Sequence, residues 1–412
     1  MSKKIAIVGG GAAGFFAAIT CAQANPRCQV TLIEASPQPL GKVRISGGGR
    51  CNVTHACFDP AQLVQFYPRG GKSLRGAFSR FQPQDTIDWF QAHGVTLKTE
   101  ADGRMFPISD SSATIVSCLM DAAEEAGVRL WHGTAITNVT KTTAGFSIAT
   151  KHGQELVVDK LLLATGSNPT GYRWAKELGH SIEPIVPSLF TFNIKDPRLT
   201  DLSGVAVKTA TVSLNKDKKL THTGPVLITH WGLSGPAILK LSAWAARVLH
   251  ECRYQAQLQI NWLPEFSAPK LREMILAVKS QLPQKTIHNS CPVPIPQRLW
   301  AALLESCEIV AGDRWAGLSN KKIDRLLQEL QRGEFSITGK GVFKEEFVTC
   351  GGVKLVEIDL KTMASKVCPG LYFAGEIMDV DGVTGGFNFQ NAWTTGWIAG
   401  QALAKPLDIP ES

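Results

Sequence analysis

Lys4-Ile5-Ala6-Ile7-Val8-Gly9-Gly10-Gly11-Ala12-Ala13-Gly14 opens the chain as a short β-branched run feeding a glycine turn. Residues 15–24 carry a helical pattern and residues 29–33 a second apolar run, so the opening reads as a βαβ unit. Gly9-x-Gly11-x-x-Gly14 therefore stands after a strand and at the start of a helix, the context a dinucleotide-binding fingerprint requires. Gly9 permits the tight turn, Gly11 lets the backbone approach a pyrophosphate, and Gly14 allows the helix to pack closely. The helix opened by Ala12 and Ala13 directs its N-terminal amides at the negative charge. Glu34 lies twenty residues beyond Gly14 at the end of the second run. Its carboxylate is placed to accept hydrogen bonds from an adenosine ribose, which disfavours a 2′-phosphate.

With 412 residues, 44% of them hydrophobic, the chain has material for two or three domains. A net charge of +8 points to an anionic partner, of which a phosphate-bearing cofactor would use part. Ten scattered cysteines without a Cys-x-x-Cys pair suit neither a disulfide framework nor a zinc or iron–sulfur site, and no metal is expected. They read as reduced thiols in a cytoplasm. Residues 1–24 imitate a signal peptide, but three consecutive glycines interrupt the apolar stretch. No apolar run reaches the roughly 18 to 20 residues of a bilayer span, which predicts a soluble protein.

The fingerprint and its acid serve NAD or FAD equally, and the far end of the chain separates them. Residues 161–166 form an apolar strand ending in glycine, and residues 370–375 another. Gly385-Gly386-Phe387-Asn388-Phe389-Gln390-Asn391 then leads into a terminal helix. A second anion-friendly helix start suits a long cofactor held at both ends, with amides aimed at the flavin N1 and C2 carbonyl. Such a terminus stabilises reduced flavin by about 0.3 to 2 kcal/mol. Asp379 and Asp381 either contact the ribityl chain or shape a turn. Between the ends, residues 185–263 alternate like an antiparallel insert, and residues 264–333 turn helical with proline-rich joints.

Residues 41–52 hold three consecutive glycines flanked by cations, reading as a backbone-lined loop against the cofactor or an anionic substrate, or as a solvated surface loop. This loop, the opening motif, Thr229-His230-Trp231-Gly232-Leu233-Ser234-Gly235-Pro236 and residues 370–391 together resemble the BaiN/RdsA-type NAD(P)/FAD-dependent oxidoreductases over essentially the whole chain. Lys42-Val43-Arg44 departs from the more basic, leucine-rich sequence expected there. The resemblance implies an α/β fold: a Rossmann-like FAD-binding domain of glutathione-reductase type, an inserted β-rich domain and a helical subdomain. The expected bounds are 1–187 with 347–412 for FAD, 188–263 with 334–346 for the β-rich insert, and 264–333 for the helices.

The expected cofactor contacts are Gly9, Gly11, Ala12, Ala13, Gly14 and Glu34 at one end and Lys42, Gly48, Gly49, Arg50 and Cys51 in the glycine loop. Ile136, Thr165 and Gly166 follow, then Gly375, Glu376, Asp379, Gly386, Phe387, Asn388 and Gln390 at the other end. The resemblance further implies reduction of carbon–carbon double bonds, in bile-acid-type steroids or in a uracil of large-subunit ribosomal RNA. From residue 42 to 80, seven Lys or Arg face one acid, with Phe66, Tyr67, Phe78 and Phe81 interleaved, a pattern that suits RNA or a solvated face that balances FAD. Forming dihydrouridine needs a hydride from the flavin and a proton from a general acid. Cys51 and His230 are the candidates, against the alternatives of a small packed residue and a turn-stabilising partner. No second glycine fingerprint offers a nicotinamide domain, so NADH or NADPH would visit the flavin transiently. A small enone or amine as substrate, and a redox sensor without turnover, are the rival functions.

Overall fold

The computed structural model describes residues 2–215, 217–341 and 348–406. The chain forms two compact units, Met1–Val186 with Val348–Ser412, and Pro187–Phe347. The expected return from insert to FAD domain at 346–347 lies outside the described residues.

In the first unit, β1 (Lys4–Val8), β2 (Gln29–Ile33), β3 (Arg129–Trp131), β4 (Lys160–Leu163) and β5 (Leu371–Phe373) form a parallel sheet in the order β5-β4-β1-β2-β3. Two short strands, Ile358–Asp359 and Ala364–Ser365, extend it antiparallel beyond β5. Register places Ile7 beside Leu162 and Leu162 beside Tyr372. β4 and β5 are buried throughout and β1 from Ile5 to Val8, in keeping with the apolar runs 5–8, 161–163 and 371–373. The loops after β1, β4 and β5 consequently share the carboxyl edge of the sheet, where open α/β sheets bind ligands.

Helix α1 (Ala12–Ala24) is buried from Ala12 to Ala22 because the terminal helix α3 (Phe387–Leu403) lies against it. Small residues permit the approach. A Cβ on Gly396 would come within 2.6 Å of the Ala13 carbonyl oxygen, and one on Gly400 within 2.7 Å of the Ala17 oxygen. Lys160, fully buried, donates from Nζ to the carbonyl oxygens of Ala402, Leu403 and Lys405 at 2.8–3.1 Å. A cation at the carbonyl end of α3 satisfies both the helix dipole and the orphaned acceptors, and it fastens β4 to the end of α3.

The second unit is a closed six-stranded barrel in the order Phe192–Ile194, Gly232–Ser234, Thr221–Thr229, Ala206–Leu214, Ala256–Asn261, Gly333–Lys340. Helices Ala268–Gln281, Gln297–Ser306 and Asn320–Arg332 fill the connection between its last two strands. Barrel and helices share one core that includes Trp262, Trp300 and Trp315. Among the described residues no helix is long and apolar enough to cross a membrane.

Candidate functional site

The three fingerprint glycines exist for different reasons. A Cβ on Gly9, whose φ is +113°, would collide with the Ala164 carbonyl after β4, and one on Gly14 with the Gly9 carbonyl. Both are demanded by the protein's own packing. Gly11, the residue preceding α1, has φ −92° and nothing within 4 Å of an added Cβ. The space beside it is open at the N-terminus of α1, where a pyrophosphate would fit.

Glu34 leaves β2 with both carboxylate oxygens turned back on the turn. Oε2 accepts from the Gly10 N–H at 2.6 Å and Oε1 from the Ser36 N–H at 2.7 Å. Each oxygen retains a lone pair for a ribose hydroxyl. Thr134 N–H donates to the Glu34 carbonyl at 2.9 Å, which brings Ile136, two residues on, to the same end of the site.

Residues 41–52 are not wholly a loop. The sequence leads into a helix, α2 (Gly41–Gly49), broken at Ser46, Gly47 and Gly48; the two glycines have φ +58° and +68°. Gly48 and Gly49 are exposed with open space where a side chain would stand. Cys51 is fully buried at φ +61°, and burial pushes its thiol up to about 12. Arg50 pairs with Glu100 at 2.7 Å and Asp110 at 3.4 Å, and its guanidinium lies 3.9 Å over the Phe106 ring.

The C-terminal residues close onto this segment. Lys42 Nζ donates to Glu376 Oε2 at 2.5 Å and to Ser167 Oγ at 3.3 Å. Glu376 Oε1 accepts from the Thr349 N–H at 3.0 Å, and Gly166 faces Glu376 Oε2 across 3.6 Å from an added Cβ. Thr165 Oγ1 and the Tyr172 hydroxyl are buried there without a hydrogen-bond partner among the described residues. The Gly375 N–H donates to Thr395 Oγ1 at 2.9 Å, setting the turn after β5. Asn388 brackets Gly382 from both sides, accepting from its N–H at 2.8 Å and donating to its carbonyl at 2.9 Å. His55 holds the Gly385 carbonyl at 3.0 Å and stacks on Phe387 with centroids 4.6 Å apart. Gly386 precedes α3, so the first-turn amides beginning at Phe387 have no intrahelical partner and suit an anion. Asp379 is half-buried, its N–H donating to the Val353 carbonyl at 3.0 Å.

Two expectations are corrected. Gln390 is fully buried: Oε1 accepts from Thr54 Oγ1 at 2.6 Å and Thr86 Oγ1 at 2.9 Å, and Nε2 donates to Thr394 Oγ1 at 3.1 Å. It is a core polar network that ties α3 to residue 54, not a side chain facing a ligand. Tyr67, Phe78 and Phe81 are core residues at 3%, 0% and 5% exposure, so only Phe66 of the four rings is partly exposed. Their spacing reflects helix packing rather than a base-stacking surface. Of the seven cations, Lys42, Arg50 and Arg69 lie in ion pairs, Arg69 with Asp381. His230 lies in the second unit, exposed on the turn between Thr221–Thr229 and Gly232–Ser234, with Trp231 edge-on at 4.2 Å. Sequence reasoning passed over His55, Tyr172 and Ser167 because none belongs to a motif. Only their long-range partners mark them.

A parallel sheet whose carboxyl edge carries the glycine turn at residues 9–14, with Glu34 at the end of β2 and a second helix start from the far end of the chain, defines a Rossmann-type FAD-binding oxidoreductase. The model of the HI0933-like protein Rossmann domain matches residues 3–402, and the chain belongs to that family. It is similar to the 3-dehydro-bile acid delta(4,6)-reductase of Clostridium scindens, 28% identical across 98% of this chain and 99% of that one. It is also similar to the ribosomal RNA dihydrouridine synthase of Escherichia coli, 31% identical across 96% of this chain and 97% of that one. Among solved structures, the 3-ketosteroid-delta4-(5alpha)-dehydrogenase of Rhodococcus jostii matches with a TM-score of 0.54 at 15% identity, covering 98% and 97% of the two chains. The 3-ketosteroid delta1-dehydrogenase of Sterolibacterium denitrificans gives 0.52 at 14%, covering 98% and 99%. At these identities the structures speak to the fold.

Proposed function

We propose that the protein reduces a carbon–carbon double bond conjugated to a carbonyl, using electrons from NADH or NADPH, and that its substrate is a uracil of large-subunit ribosomal RNA. Bound FAD would supply the hydride. Gly11, Gly48, Gly49 and the start of α3 hold the cofactor, while Glu34 orients its ribose. A uracil ring and a 3-oxo-steroid present the same acceptor, a β-carbon made electrophilic by its carbonyl, and each has a namesake among the relatives.

The observation that favours RNA is where the charge lies. Residues 187–347 carry 21 Lys and Arg against 14 Asp and Glu, a net +7 of the chain's +8. A steroid does not call for that excess; a polyanion does. The second reading, a steroid or other small enone, is favoured by the end-to-end match to the bile-acid enzyme. A cytoplasmic location agrees with ten cysteines that form no disulfide.

The proton must reach the carbon opposite the hydride. Of the two candidates Cys51 suits this poorly, since burial pushes its thiol up to about 12 and shields it from proton exchange with water.

Nucleoside mass spectrometry of ribosomal RNA from a strain lacking the gene, with and without the gene restored, tests the proposal. Dihydrouridine should vanish and return. Unchanged dihydrouridine removes the RNA reading, and anaerobic reoxidation of the reduced protein by 3-oxo-Δ4 steroids then tests the second.

A further inference from the structure

The charge excess of the second unit is not spread evenly. On two of its helices Arg325 pairs with Glu308, Lys322 with Asp313 and Arg272 with Asp324. Three cations at and beside the barrel are not paired in this way. Lys218 and Lys219 sit exposed in the turn joining Ala206–Leu214 to Thr221–Thr229, and Lys240 sits half-buried on helix Pro236–Trp244. Among the described residues, none of the three has a carboxylate within ion-pair reach.

Lys219 stands two residues before the strand Thr221–Thr229, on which His222 lies with its ring 6.3 Å from Trp244 and nearly parallel to it, at 29°. Lys240 precedes Trp244 by four residues, one turn along the same helix face. Burial, with the neighbouring Lys240 ammonium adding to it, lowers the His222 imidazole below its ordinary range. Trp244 itself is 37% exposed. Tryptophan is normally well buried on average, so an exposed indole among unpaired ammonium groups calls for a ligand that combines a flat ring with negative charge.

We infer that Lys218, Lys219, Lys240 and Trp244 form a landing surface for single-stranded RNA, the ammonium groups taking the phosphates and the indole stacking on an unpaired base. This rests on the RNA reading above and moves the binding surface from residues 42–80 to the barrel.

Holoenzyme titrated into a fluorescein-labelled single-stranded twelve-nucleotide RNA of mixed sequence, followed by anisotropy over a series of KCl concentrations, decides it. Lys218→Ser/Lys219→Ser/Lys240→Ser should weaken binding about tenfold or more and lower the salt slope by about 2, since each single-strand phosphate contact contributes about 0.7. Trp244→Ala should weaken binding about tenfold at an unchanged slope, the effect of one lost stacked base. Arg44→Ser/Lys72→Ser/Arg75→Ser, which removes equal charge from the other unit, should change binding by less than about twofold. FAD content and the melting temperature report whether each variant is folded. If the wild type binds steeply with salt and the barrel triple variant binds as well as it does, the surface is wrong while the RNA reading stands. If the wild type binds no RNA at any salt concentration, the RNA reading fails and the surface with it.

Discussion

Asp381 is fully buried, and the guanidinium of Arg69, 312 residues earlier, grips both of its carboxylate oxygens, with Nε to Oδ1 at 2.5 Å. The two residues also form an isolated antiparallel bridge. The pair therefore clasps the segment after residue 66 to the turn that leads into α3. Neither charge is free to serve RNA or a ribityl chain.

Arg69→Ala leaves that carboxylate buried without its main counter-charge, at a cost of about 3–5 kcal/mol. The melting temperature of the apoprotein should fall by at least about 6 °C. Arg69→Lys should recover only part, because an ammonium cannot match the two-point geometry. A drop of under about 2 °C for Arg69→Ala would show that the pair is not structural.

The fingerprint glycines should separate by phenotype. Gly11→Ala adds a methyl where the protein has no atom within 4 Å, so apoprotein stability should change by less than about 1 kcal/mol. FAD affinity should nevertheless fall more than about tenfold, because the methyl stands where the pyrophosphate must lie. Gly9→Ala, which meets the Ala164 carbonyl, should instead yield little folded protein. Apoprotein melts and FAD titration by flavin fluorescence read both; wild-type FAD affinity in Gly11→Ala contradicts the assignment.

Glu34→Ala removes the proposed acceptor for the ribose. Hydrogen bonds to a charged group contribute about 1.5–3 kcal/mol each, so the dissociation constant of FAD should rise by roughly 10- to 100-fold. Occupancy and affinity equal to wild type would rule out a ribose contact.

Cys51 sets a pH dependence. An ordinary thiol ionises near 9, whereas burial holds this one near 12, so the folded protein retains a proton that the unfolded chain releases. The stabilisation is complete below pH 9 and is lost as pH rises toward 12. Cys118, pushed up to about 12, and Cys307, to about 11, act in the same direction. Between pH 8 and pH 10 the wild type should therefore lose about 1 kcal/mol more than Cys51→Ala. Parallel melting curves across that range would mean that the thiol ionises as it does in water.

The sequence alone determined the features that depend on neighbours along the chain. The strand, turn and helix around Gly9, Gly11 and Gly14 are dictated by local sterics, and the position of Glu34 follows from the length of α1 and β2. The start of α3 at Gly386 and Phe387 is legible for the same reason. Tertiary structure decided which side chains remain available. Tyr67, Phe78, Phe81 and Gln390 carry chemistry suited to ligands, but burial against α3 and its neighbours commits them to the core. Lys42 and Arg69 read as surface cations until Glu376 and Asp381 arrive from more than 300 residues away. Backbone conformation is set within a few residues, whereas the desolvation and charge pairing of a side chain depend on whatever the folded chain brings beside it.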